Sequence, residues 1–90
     1  MVEVFSGSAE EYRLLGQNLE SQGELPKAEQ AFQKALKLTE ETISRSGKPE
    51  DINNAKDLCL ILADLNMQQG NMHGADVYYV KAMHYSKEEI

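Results

Sequence analysis

The side chains best suited to nucleophilic or metal chemistry are few: one cysteine, Cys59, and two histidines, His73 and His84. A cysteine beside a histidine can serve as a thiolate nucleophile. Cys59, however, stands inside Leu58–Met67, the most apolar run of the chain. An apolar setting raises a thiol's pKa and leaves it inert, so a small buried hydrophobe is its expected role. His84 and Glu88 are four residues apart and could reach one ion, but two ligands fall short of a closed site. His73 and His84 do not share a helix face. The chain contains no Gly-rich phosphate loop, paired-histidine metal motif or nucleophile elbow. The expectation is therefore no enzyme and no cofactor. A small catalytic or metal site at Cys59, His73 and His84 is the weaker rival.

The elements that carry these residues are read as four helices. Ser8-Ala-Glu-Glu11 is a capping box, opening a first helix that runs to about Gln22 with Tyr12, Leu15 and Leu19 on one stripe. Gly23 stops it. Pro26 suits the start of the second helix. Ala28, Ala31, Phe32, Ala35, Leu38 and Thr42 form its inward stripe, with Lys27, Gln30, Lys34, Lys37 and Glu41 opposite as a solvated face. Gly47-Lys48-Pro49 is the main break. Pro49 or Asp51 opens the third helix, which holds the apolar run and stops at Gly70. That run is too short for a bilayer span, which takes about 20 apolar residues. A helix apolar nearly all round is either flanked by other helices or keeps one face for a partner. Asn71 caps a fourth helix reaching about Lys87, with Ala75, Tyr78, Tyr79, Ala82 and Tyr85 inside. Gly74 in its first turn costs helix propensity, which points to close helix contact there. No strand pattern appears.

Ninety residues make one domain, divided into a lead-in over 1–7, a hairpin over 8–46, a connection over 47–50 and a second hairpin over 51–90. The net charge of −6 disfavours nucleic acid, which demands a basic footprint, and a polybasic membrane anchor. The single cysteine excludes an internal disulfide and zinc spacing. The start, Met-Val-Glu-Val-Phe, lacks the features of a signal peptide, so the expected location is cytoplasmic.

The two halves repeat. Tyr12, Leu15, Gly16, Leu19, Gly23, Ala28, Phe32 and Ala35 in the first have the spacing of Cys59, Leu62, Ala63, Asn66, Gly70, Ala75, Tyr79 and Ala82 in the second. This pattern of a large residue, a Leu-Gly pair, a turn glycine, then Ala, aromatic, Ala resembles the tetratricopeptide repeat. The first half fits from about Ala9 to Thr42. The second is degenerate, with Cys59, Ala63 and Asn66 replacing an aromatic, a glycine and a large residue. The spacing between halves also exceeds the family period of about 34 residues. The surplus falls at Ile43–Ala55, as in longer-period relatives such as kinesin-light-chain-like arrays.

The resemblance implies an all-α fold of two antiparallel helical hairpins stacked as a short superhelix, with Phe32 buried against the third helix. It also implies a scaffold or adaptor role, binding a partner peptide or helix in a groove lined by the first helix of each hairpin. The corresponding positions are Glu10, Arg13, Gln17, Glu20 and Ser21, then Asp57, Leu60, Asp64, Met67 and Gln68. Arrays that clamp the acidic tails of heat-shock chaperones carry Lys and Asn where this chain has Arg13 and Gln17, then Leu60 and Asp64. The carboxylate clamp is thus unsupported, and a basic or amphipathic segment fits better. About three repeats normally make a stable stack. Two repeats, with apolar residues on more than one face of the fourth helix, lead to the expectation of a homodimer through Val80 and Met83, with Val4 and Phe5 contributing. The alternatives are a self-assembling building block or part of a larger array.

Overall fold

A computed structural model describes residues 7–88, with side chains through Lys87. The lead-in residues Val4 and Phe5 and the side chain of Glu88 lie outside the described residues. The described chain forms α1 (Ala9–Ser21), α2 (Leu25–Ser46), α3 (Pro49–Gln68) and α4 (Met72–Glu88), without strands.

Local chemistry sets the ends of each helix. The Ser8 hydroxyl accepts from the Glu11 N–H at 3.2 Å and lies 3.4 Å from the Glu11 carboxylate. Pro26 falls in the first turn of α2 and Pro49 opens α3, where no intrahelical N–H is lost. Asn71 accepts from the Gly74 N–H at 3.0 Å, capping α4. Gly47 closes α2 at φ 62°, donating its N–H to the Ile43 carbonyl at 2.8 Å. This left-handed conformation is unfavourable for any residue bearing a Cβ.

Helices adjacent in sequence pack on one another: α1 on α2, α2 on α3 and α3 on α4. The Cα atoms span 42 × 35 × 14 Å, a flat slab that leaves every helix an open side. The core joins Ala28, Phe32, Ala35 and Leu36 of α2 to Ala55, Leu58, Cys59, Leu62 and Leu65 of α3 and Ala82 of α4. Phe32 is fully buried, as the repeat pattern predicts. Side chains of α2 and α4 also meet: Gln33 donates to the Tyr78 hydroxyl at 3.0 Å, and Glu40 receives Lys81 at 3.0 Å and the Tyr85 hydroxyl at 2.6 Å.

At Asn66 the second repeat departs from the pattern because the contacts there are polar. Asn66, 2% exposed, donates to the Leu62 carbonyl at 2.8 Å and to Glu29 at 3.4 Å, and accepts from Asn71 at 2.9 Å. An aliphatic side chain there would leave Asn71 without this acceptor. Gly74 confirms the close contact expected of it, since a Cβ would collide with the Asn66 amide oxygen.

Three details, in α2, α1 and α4, correct the sequence reading. In α2 the buried stripe continues through Leu36 and Thr39, whereas Leu38 is half-buried and Thr42 exposed. Helical steps of three and four from Phe32 reach either set, and the position of α3 selects the first. Thr39 tolerates burial by donating to the Ala35 carbonyl at 2.9 Å. In α1, Leu15 is exposed, because α2 covers only part of its stripe. In α3, by contrast, Leu60 and Met67 are each 42% exposed, the open-face alternative of the sequence reading. In α4, Tyr79 is 39% exposed, although its repeat counterpart Phe32 is buried. Phe32 has α3 packed over it; among the described residues nothing follows α4 to cover Tyr79.

Candidate protein-interaction groove

A cleft of about 190 Å³ separates α1 from α3. Ala9, Glu10 and Arg13 form its α1 bank, Asp51, Asn54 and Leu58 its α3 bank, and Thr39 and Thr42 of α2 its floor. The helix period explains both banks. Residues three, four and seven apart share a face, so Glu10 and Arg13 project together, as do Asp51, Asn54 and Leu58. Two carboxylates and one guanidinium thus face a polar floor.

The structure brings together only part of the predicted set. Glu10 and Arg13 line the cleft; Gln17, Glu20 and Ser21 continue along α1 beyond it. Asp57, Leu60, Asp64, Met67 and Gln68 do not line it. They occupy the side of α3 turned away from its buried face, with Asp57 half-buried and the others exposed. Gln68 donates to Asp64 at 2.8 Å, and the Tyr79 hydroxyl lies 3.4 Å from the Met67 sulfur.

Counting along the repeat pattern does not reach three residues of this region, Asp51, Asn54 and Leu14. Asp51 and Asn54 lie in the surplus segment between the repeats, so counting along the repeat pattern skips them. Leu14 is 50% exposed, one helical turn from Glu10 and Gln17. The Leu14-Leu15 doublet was its signal, since adjacent leucines on a short helix cannot both face inward. Exposed apolar side chains thus stand at Leu14 on α1 and at Leu60 and Met67 on α3.

The groups that suggested other chemistry are placed apart from this face. Cys59 is buried, and its thiol pKa is pushed up to about 11 by loss of solvent; Lys81 opposes this shift and Glu40 adds to it. A thiol in that state is a poor nucleophile at neutral pH. His73 and His84 are exposed on α4. Among the described residues, no three His, Cys, Asp or Glu side chains are grouped to hold a metal ion. Nor is any described helix long and apolar enough to cross a membrane.

Two antiparallel hairpins, stacked through small residues and one buried aromatic, make an all-α fold consistent with a tetratricopeptide-like arrangement. Residues 9–42, spanning α1 and most of α2, match the family model of the tetratricopeptide repeat. No curated protein and no solved structure gives a match. Tetratricopeptide repeats generally mediate protein–protein contacts and are generally non-catalytic, which supports an interaction module as the broad class.

Proposed function

We propose that this chain is a non-catalytic adaptor whose α1–α3 face binds a basic, amphipathic peptide or helix of another protein. Glu10, Arg13, Gln17 and Glu20 form the α1 side of the site, and Asp57, Leu60, Asp64 and Met67 the α3 side, joined by Leu14 and the Asp51 cleft. The two hairpins act as one binding unit. The observation that carries the reading is the exposure of Leu14, Leu60 and Met67, at 50%, 42% and 42%, on two helices that also carry Glu10, Glu20, Asp57 and Asp64. Exposed apolar side chains ringed by charge suit an amphipathic segment bearing Lys or Arg. The free, buried Cys59 suits a reducing compartment, and we place the protein in the cytoplasm.

The test is titration with a labelled helical peptide, leucine on one face and lysine on the other. Binding should weaken as salt rises from about 50 to about 500 mM, the range over which exposed charges become screened. It should weaken further when Glu20, Asp57 and Asp64 are changed to Lys. Equal binding by all variants would reject this groove.

A second reading is supported by separate residues. Val80 and Met83 are 65% and 64% exposed on the outer side of α4. Such a patch suits self-association, and the protein acts as a homodimer in this reading.

A further inference from the structure

The outer face of α4 carries Asp76, Val80, Met83 and Lys87 in steps of four, three and four, all exposed. Those steps set the four side chains on one stripe. The stripe has an acid at one end, a base at the other and two apolar residues between them. Laid antiparallel on a copy of itself, with Val80 level with Met83, it brings Asp76 level with Lys87 in the same register. Both apolar pairs and both ion pairs form together. A parallel pairing would instead set Asp76 against Asp76 and Lys87 against Lys87.

The alternative self-assembly is head-to-tail stacking, with the second hairpin of one copy taking the first hairpin of the next. The chain's own hairpin–hairpin contact is the template for it. There, Phe32 and Leu36 are buried and Glu40 meets Lys81 at 3.0 Å. Moving each residue to its counterpart in the other repeat replaces Phe32 and Leu36 by Tyr79 and Met83, which are exposed and apolar enough to serve. The bridge fares differently. Glu40 becomes Lys87, and Lys81 becomes Lys34, which lines the open α1–α2 edge with Lys27. The partly exposed ion pair between the two hairpins would be two lysines in the stacked form. Like charges in that position oppose open-ended growth, whereas the two-fold pairing satisfies every charge on the stripe.

We infer that two copies of this chain pair through α4, antiparallel about a two-fold axis, with Asp76 of each copy beside Lys87 of the other. The inference rests on the self-association reading above and is independent of the α1–α3 groove. A closed contact on α4 leaves that groove free in both copies, so the dimer presents two binding faces.

The test uses the whole chain in sedimentation equilibrium, with Asp76→Lys and Lys87→Glu as surface variants checked for native helix content. Each variant alone sets like charges together twice per dimer and should dimerise about tenfold more weakly than the parent. An equimolar mixture of the two restores both ion pairs, because each copy supplies what the other lacks. The mixture should associate like the parent. Val80→Arg should dissociate the dimer in every background. Variants that dimerise as well as the parent, or a mixture no tighter than its components, would overturn the α4 register while leaving self-association standing. A parent that stays monomeric would overturn self-association itself. Growth beyond the dimer with rising concentration would overturn the two-fold pairing in favour of stacking.

Discussion

Gly16 of α1 lies against the ring of Phe32 of α2, so close that a Cβ on Gly16 would stand 2.9 Å from three ring carbons. Gly16 is the only buried residue of α1, and Phe32 is the largest fully buried side chain among the described residues. The first hairpin closes through this contact, and the ring then meets the α3 core. The prediction is that Phe32→Ala destabilises by about 3–5 kcal/mol, as emptied aromatic core sites do. Gly16→Ala should also destabilise, although alanine normally favours a helix over glycine by about 1 kcal/mol. Phe32→Leu should recover part of the Gly16→Ala loss, and a double-mutant cycle in urea measures that coupling.

The Asn66 cluster gives a second prediction. Asn66→Ala removes the buried amide that bonds the Leu62 carbonyl, Glu29 and the exposed Asn71 side chain, and should cost about 1–3 kcal/mol. Gly74→Ala should cost stability too, because the new methyl displaces the Asn66 side chain. Thermal melts of both variants check this. A Gly74→Ala protein that melts higher than the parent would mean helix propensity outweighs the contact.

Cys59 predicts a pH dependence. Its folded pKa, near 11, lies above the 9.0 of an unperturbed thiol. The unfolded chain therefore loses the thiol proton first as pH rises. The protonated thiol's contribution to stability is complete below pH 9 and is lost as pH rises through about 11. The loss should approach about 2–3 kcal/mol, from the separation of the two pKa values. It is read as the difference in denaturation midpoints between the parent and Cys59→Ala across that range. At neutral pH a thiol reagent should label Cys59 only on unfolding; rapid labelling of the native protein would contradict its burial.

The exposed groove leucines make a fourth. Leu14→Ser and Leu60→Ser remove no core contact and should change stability by no more than about 0.5 kcal/mol. Each should nonetheless weaken binding of the basic amphipathic peptide, measured by fluorescence anisotropy. Unchanged affinity with unchanged stability would make these leucines ordinary surface residues.

The sequence by itself determined the four helices. Their limits rest on signals within a few residues: the Ser8 box, Asn71 as a cap, Pro26 and Pro49 in first turns, and glycines at positive φ after α1, α2 and α3. The burial of Phe32 was legible for a related reason, because its small-residue neighbours recur at fixed spacing in both halves. Only the tertiary structure decided which face of each helix is covered. Phe32 and Tyr79 hold the same place in the repeat, yet one is buried and the other 39% exposed, because α3 packs over α2 while nothing among the described residues packs over the matching side of α4. Leu36 and Thr39 prevail over Leu38 and Thr42 because of where α3 lies across α2. Asp51 and Asn54 enter the cleft because the surplus segment between the repeats folds as the first turns of α3. Glu40 meets Lys81 across 41 residues of chain. Period and capping act over one or two helical turns, whereas these pairings depend on how rigid helices from distant parts of the chain are set against one another.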